Sequence, residues 1–342
     1  MQSMQSNKRR LILAAVSTPL LAGTASRASA QALGYYKDKV ININVAGGPS
    51  GGHTRYARML QPFLQKHTGA REVRITNLQG GGGLKAANYI WRVKPDGLQI
   101  FFGNVSTLLL ANLAGSPGAT FDPTKFMYLG RATSEPRVLC VGGKSAIKSI
   151  EDVQKLKRSF VYPSQGTDED FYTLAVLGDA LGFKVKAVTG YEGNADTALA
   201  VIKGDGDGHI TGWSESLGPI RSGDKHPILM VTSRRSPDYP AIPVVTEIAP
   251  AAKRDTVRAM ATVLETHRTY LGPPGMDAQA VAAFRAAVNA VFKDPALIAE
   301  SKKGERPVDP MDGTQQQKEI IVIAKASASL TPILKAAVKE IQ

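Results

Sequence analysis

Twice between residues 40 and 93 the chain runs from a short apolar stretch into a cluster of glycines and then into a helix-spaced segment, and this alternation constrains the fold more than any other feature. Residues 40–45 (VININV) read as a buried strand. Gly47, Gly48, Gly51 and Gly52 follow, and then residues 54–66 place Tyr56, Met59, Leu60 and Phe63 on one helical face. The pattern recurs as a strand over 72–76, a glycine loop over 79–83 and a helix over 84–93. After the turn Lys94-Pro95-Asp96-Gly97, a third strand over 98–102 ends in a polar loop, 103–107. Strands alternating with helices predict a parallel α/β sheet covered on both faces.

A second block of the same kind begins near Arg137. Ser149 is placed to cap a helix over 150–156. A strand over 159–162, the polar loop 163–168 and a helix over 169–181 follow. Next come a strand over 184–189, a loop over 190–194, a helix over 195–203, and strands over 208–211 and 228–231. The proline-rich stretch 236–243 reads as an extended connection, and the segments 277–293 and 315–341 read as helix. With 342 residues there is chain for two domains. Open α/β sheets bind ligands at the carboxyl ends of their strands, so two such blocks facing each other make a cleft.

The first thirty residues read as an export address. Lys8-Arg9-Arg10 is a basic leader, residues 11–22 are apolar, and Ala28-Ser29-Ala30 fits a cleavage site that leaves Gln31 at the mature N-terminus. Arg9-Arg10 also permits twin-arginine export. No later run is expected to reach the roughly 18 apolar residues that span a bilayer. The net charge of +13 favours anionic partners by long-range steering. No arginine stripe with interleaved aromatics points to nucleic acid. The single cysteine, Cys140, excludes an intrachain disulfide and a multi-cysteine zinc site, and its apolar neighbours mark it as a buried thiol. The five histidines form no metal-ligand motif, so neither a metal nor a cofactor is expected.

Three motifs carry competing chemistry. Gly48-Pro49-Ser50-Gly51-Gly52 fits the nucleophile elbow of a serine hydrolase, with Ser50 as nucleophile. Here, however, the serine follows the first strand, with no upstream loop to complete an oxyanion hole. Gly81-Gly82-Gly83-Leu84-Lys85-Ala86 fits a dinucleotide loop, but the next strand ends in Phe102-Gly103-Asn104 without the acid that holds a ribose. Asp205-Gly206-Asp207-Gly208 starts like a calcium loop but has Ser216 at its twelfth position, so it reads as a turn. The two glycine loops share one physical property, closely approachable backbone N–H groups suited to an anion.

From about residue 39 to its end the chain resembles the periplasmic substrate-binding proteins of tripartite tricarboxylate transporters, the Bug family. The resemblance rests on Val45-Ala46-Gly47-Gly48-Pro49-Ser50 with Tyr56-Ala57-Arg58, on Asn77-Leu78-Gln79-Gly80-Gly81-Gly82-Gly83, and on Lys94-Pro95-Asp96-Gly97. It continues in Val188-Thr189-Gly190-Tyr191-Glu192-Gly193, Val231-Thr232-Ser233-Arg234, Pro243-Val244-Val245-Thr246-Glu247 and Leu271-Gly272-Pro273-Pro274-Gly275. It departs where Gly51-Gly52-His53 lengthens the first loop, where Thr54 stands for an expected Asp, where Gln79 stands for Pro, and in the acidic loop 164–170.

The resemblance implies a two-domain periplasmic binding protein of type II-like architecture, each domain a mainly parallel sheet flanked by helices. Residues 31–136 with 245–342 would form one domain and 137–244 the other. It implies capture of a small organic carboxylate and its delivery to membrane permease subunits without catalysis; the acids Asp168, Glu192 and Glu215 would suit a ligand that also bears an amine or hydroxyls, and a monomer is expected. A sensor subunit presenting its ligand to a membrane kinase is a further reading. The candidate ligand-binding residues are Gly48, Ser50, Gly52, His53 and Thr54 in the first loop and Gly81, Gly82 and Gly83 in the second. Asn104 and Ser106 follow the third strand. Ser164, Thr167, Asp168, Tyr191, Glu192, Asn194, Trp213 and Glu215 come from the second block.

Overall fold

The computed structural model describes residues 34–235 and 239–341; the expected leader and cleavage site lie outside the described residues. In chain order the first block is β1 (Val40–Val45), α1 (Gly52–Thr68), β2 (Glu72–Asn77), α2 (Leu84–Arg92), β3 (Gln99–Gly103), α3 (Val105–Ala114) and β4 (Met127–Arg131). The second is β5 (Arg137–Gly142), α4 (Ile150–Gln154), β6 (Phe160–Pro163), α5 (Glu169–Leu181), β7 (Val185–Val188), α6 (Asn194–Lys203), β8 (Gly208–Gly212), α7 (Trp213–Arg221) and β9 (Lys225–Val231). The remainder is α8 (Val245–Ile248), α9 (Arg254–Leu264), β10 (Thr269–Gly272), α10 (Ala278–Val291), α11 (Pro295–Lys303), β11 (Met311–Asp312), α12 (Gly313–Ala326) and α13 (Thr331–Glu340).

Six strands form the first sheet in the order β11-β4-β10-β3-β1-β2. β1 lies between β2 and β3 and is parallel to both, so the three loops at their carboxyl ends meet at one edge. Both faces of this sheet are buried. Phe101, Tyr128 and Leu271 enter one core cluster, and their chain neighbours Phe102, Leu129 and Tyr270 enter the other, which is the two-residue alternation of a strand. The second block holds the sheet β8-β5-β9 and the pair β6-β7. Asp207 stitches these two together, its amide donating to Val161 O at 2.8 Å and its carboxylate accepting from Val161 N at 2.7 Å.

The α/β architecture agrees with the sequence reading, but the sheets are mixed rather than mainly parallel. β10 is antiparallel to β3 and β4, and β5 is antiparallel to β8 and β9. The reason is the chain path. Residues 132–136 carry the chain from the first sheet into β5, and the segment after β9 returns it to β10. Each arriving strand inserts between two strands that run the other way. A strand buried on both faces reads as a continuous apolar run whichever way its neighbours run, so the pattern carried no sign of direction.

Other local differences have similar causes. The expected polar loop at 103–107 is Asn104 followed at once by α3, whose Leu108, Leu109 and Leu110 are all buried; a helix apolar on every side shows no amphipathic period. Residues 313–340 form one stretch that is long and apolar enough to cross a membrane by length and composition, an 18-residue window within it reaching a mean hydropathy of 1.5, contrary to the expectation of no such run. In this fold its Ile320, Leu330, Leu334 and Val338 sit in the core.

A candidate carboxylate-binding cleft

β1 ends in the first glycine loop and delivers the chain to α1, whose N-cap is Gly51, with no side-chain cap and no acid in the first turn. The N–H groups of that turn are left with the positive end of a 17-residue helix. Thr54 is buried behind the loop and props it. Its hydroxyl donates to Gly48 O at 2.8 Å and accepts from Asn77 Nδ2 at 2.7 Å, and the same amide donates to Gly47 O at 2.8 Å. After β2, Gly80 to Gly83 all take positive φ, at 134°, 56°, 62° and 105°. Four successive residues in that region need glycine, and the resulting loop exposes backbone rather than side chain to the cleft.

The opposing wall comes from the second block. Asp168 caps α5, accepting from Phe171 N at 2.8 Å. Glu169 pairs with Arg137 and accepts a hydrogen bond from the Ser106 hydroxyl across the cleft. Asn194 Oδ1 accepts from Gln165 Nε2 at 2.6 Å. Two more bonds join the walls, Gln79 Nε2 to Glu192 O at 2.6 Å and Arg268 Nη2 to Glu215 Oε1 at 2.7 Å. A Cβ on Gly82 would lie 2.8 Å from Asp168 Cα. The walls therefore stand closed on a cavity of about 210 Å³, below the roughly 300–1,000 Å³ of drug-sized pockets and suited to a small metabolite.

Ten candidate residues line this cavity: Gly48, His53, Gly81, Gly82, Gly83, Asn104, Asp168, Tyr191, Glu192 and Asn194. The others are placed elsewhere. Ser50 is exposed and, among the described residues, makes no side-chain hydrogen bond. Gly52 is buried beneath Glu215, whose Oε1 would lie 1.6 Å from an added Cβ. Ser106 is fully buried outside the lining, its hydroxyl donating to the lining residue Glu169. Ser164 is buried and folds its own loop, its hydroxyl donating to Gly166 O at 2.8 Å. Thr167 faces a neighbouring groove beside Lys85 and Tyr89. Trp213 stacks on Tyr239 with ring centroids 4.1 Å apart. Sequence reasoning passed over Arg137, Thr107, Gln79 and Gln165, which do line the cavity. Arg137 heads an apolar strand, and only its pairing with a distant glutamate marks it.

Under the cavity floor lies a buried charge network. Arg268 is 0% exposed. Its guanidinium donates to Glu135 and to Glu215 and lies 4.2 Å from the Tyr56 ring centroid. Burial pushes the Glu215 carboxyl upward, but Arg268 together with His53, Arg137 and Arg55 holds it below its ordinary value. His53 Nδ1 is buried without a partner among the described residues, and desolvation together with Arg268 brings that imidazole down to about 3. Deeper in the second block Lys225 Nζ meets His209 Nδ1 at 3.0 Å, and burial lowers both groups.

Burial acts in the opposite sense on Asp170, raising it above the usual carboxylate range against the pull of Arg137. A carboxyl whose folded value is raised gives stability that is full below its unfolded value and is lost as pH rises through the folded one. Asparagine cannot lose that contribution. Asp170→Asn should therefore raise the melting temperature of the empty protein by a margin that grows as pH goes from 5 to 8. Thermal melts of both proteins across that range check this, and a margin independent of pH would sink it.

Residues 56–338 match the family model of the tripartite tricarboxylate transporter family receptor. The chain belongs to that family. A UPF0065 protein of Bordetella bronchiseptica is 24% identical over 321 residues, covering 89% of this chain and 88% of the relative. Among solved structures, the periplasmic binding protein BugD superposes with a TM-score of 0.72 at 18% identity, covering 88% of this receptor and 98% of BugD. The R. palustris protein Rpa4515, solved with adipate, superposes at 0.71 with 19% identity, covering 86% and 96% of the two chains. At these identities the structures share the receptor's fold, that of the periplasmic binding proteins.

Proposed function

We propose that this receptor is exported, captures a small organic carboxylate in the cleft and delivers it to the permease subunits of a tripartite transporter, without catalysis. The observation that carries the reading is the convergence of two glycine loops on one small closed cavity, at the carboxyl ends of adjacent parallel strands. Backbone N–H groups in such loops, beside an uncapped helix N-terminus, hold an anion with no dedicated cation. Charge-assisted hydrogen bonds contribute about 1.5–3 kcal/mol each, so a few supply the roughly −8 kcal/mol of micromolar binding. In this reading residues 31–136 with 245–342 close against 137–244. A thermal-shift screen of two- to six-carbon carboxylates, followed by calorimetry, should find at least one micromolar ligand. No stabilisation by any carboxylate, together with ester turnover that disappears in Ser50→Ala, would overturn the proposal in favour of a hydrolase.

Export carries its own expected result. The basic leader, the apolar run and Ala28-Ser29-Ala30 place processing after Ala30. N-terminal sequencing of the periplasmic protein should begin at Gln31, and a periplasmic form that keeps Met1 would contradict it.

A further inference from the structure

We infer that the solute of this receptor carries a cationic nitrogen as well as a carboxylate, and that the Asp170 carboxylate receives that nitrogen across the cavity from the glycine loops. The inference rests on the carboxylate-receptor reading above. Its basis is the way the charges of the cavity wall are satisfied. Asp168, Glu169, Asp170 and Glu192 line the cavity with Arg137 as the one guanidinium among them, in a chain whose net charge is +13. Each of the other acids has an evident place. Asp168 caps α5, Glu169 takes Arg137 and Ser106, and Glu192 is exposed at the rim.

Asp170 has none. It is 4% exposed, and its Oδ1 is buried without a hydrogen-bond partner among the described residues. The nearest cation is Arg137 Nη2 at 3.8 Å, and that guanidinium is bound to Glu169. Lys225 acts on it through its charge, while the Lys225 ammonium donates to His209 and not to Asp170. Asp168 and Glu215, also in this neighbourhood, repel the carboxylate. A buried acceptor left unpaired is costly to keep, and an ammonium or amidinium in the cavity supplies what it lacks. A plain dicarboxylate would bring two more negative charges against a wall already rich in acid.

The competing chemistry is a protonated Asp170 donating to a solute carboxylate. The two part on proton linkage. An ammonium favours the ionised aspartate, so its binding releases protons, whereas a carboxylate held by a protonated aspartate takes protons up.

Calorimetry with the mature protein and three probes of equal carbon count, adipate, 2-aminoadipate and 6-aminohexanoate, tests this, with succinate and 4-aminobutanoate as the shorter pair. At least one amine-bearing probe should bind tenfold or more tighter than the dicarboxylate of its length. Repeating the titration in buffers of different ionisation enthalpy should show proton release. Asp170→Asn should abolish the preference. Should that variant fail to fold, the wild-type preference and proton count still decide. A dicarboxylate that binds as tightly as its amine-bearing partners, or proton uptake with an amine, overturns the inference while leaving a carboxylate receptor. Binding of none of the five probes overturns the inference and counts against the receptor reading too.

Discussion

Replacing Arg268 by methionine is expected to cost about 3–5 kcal/mol of stability, the range for removing one partner from a buried ion pair. Methionine keeps an unbranched, flexible apolar stem but cannot donate. Glu135 and Glu215 would be left without their guanidinium under the cavity floor. Glu135 would retain Ser214 N, and Glu215 would retain the Thr211 hydroxyl at 3.1 Å. Neither neutralises a charge. The position of the network makes the loss larger than local. Arg268 lies in the return segment before β10, Glu135 in the outward crossing, and Glu215 in the first turn of α7, pressed against Gly52 at the uncapped start of α1. One guanidinium thus ties both crossings of the chain to both sheets. Neutralising the acids as well should recover much of the loss, because replacing a whole buried ionic cluster is often close to neutral. Chemical denaturation of Arg268→Met, and of the same variant carrying Glu135→Gln and Glu215→Gln, measures both effects. A single-variant loss below about 1 kcal/mol would show that the carboxylates are not held by this arginine.

This network also marks the limit of what the sequence discloses. The strand–glycine–helix units were legible because each is local. Apolar run, glycines and helical spacing fall within thirty residues and fix β1, α1, β2 and α2. The ends of α5 could be placed to the residue, since Asp168 is a favoured cap and Gly182 a favoured stop. Arg137, Arg268 and Glu135 were invisible for the opposite reason. Their partners lie 32 to 133 residues away, and no local pattern marks which charge will be buried. The same holds for β4 and β10, short strands defined by their neighbours. Trp213 is the converse case. It follows a strand end, where ligands are found, but a tyrosine from the connection after β9 takes its ring.

Gly82→Ala is expected to weaken solute binding at least a hundredfold, about 2.7 kcal/mol, with a much smaller effect on the empty protein. Two effects combine. Gly82 sits at φ 62° and ψ 18°, in the left-handed region, where a side chain costs roughly 1–2 kcal/mol. Its added Cβ would also lie 2.8 Å from Asp168 Cα and Cβ and 3.2 Å from Asp168 N. Those atoms begin α5 on the opposite wall, and they move only if the wall moves. The strain is present whether the cleft is open or closed, whereas the collision exists only when it is closed, so the collision falls on binding. Gly81→Ala separates the two. Gly81 has φ 56°, nearly the same strain, but its Cβ would meet nothing closer than Leu84 Cβ at 3.6 Å. Both variants should melt a few degrees below wild type, and only Gly82→Ala should lose affinity a hundredfold. Small-angle scattering with saturating solute adds a second readout, because a cleft held open by residue 82 keeps a larger radius of gyration than that of the Gly81 variant. Equal affinities for the two variants would mean that the second glycine loop does not meet α5 when the receptor closes.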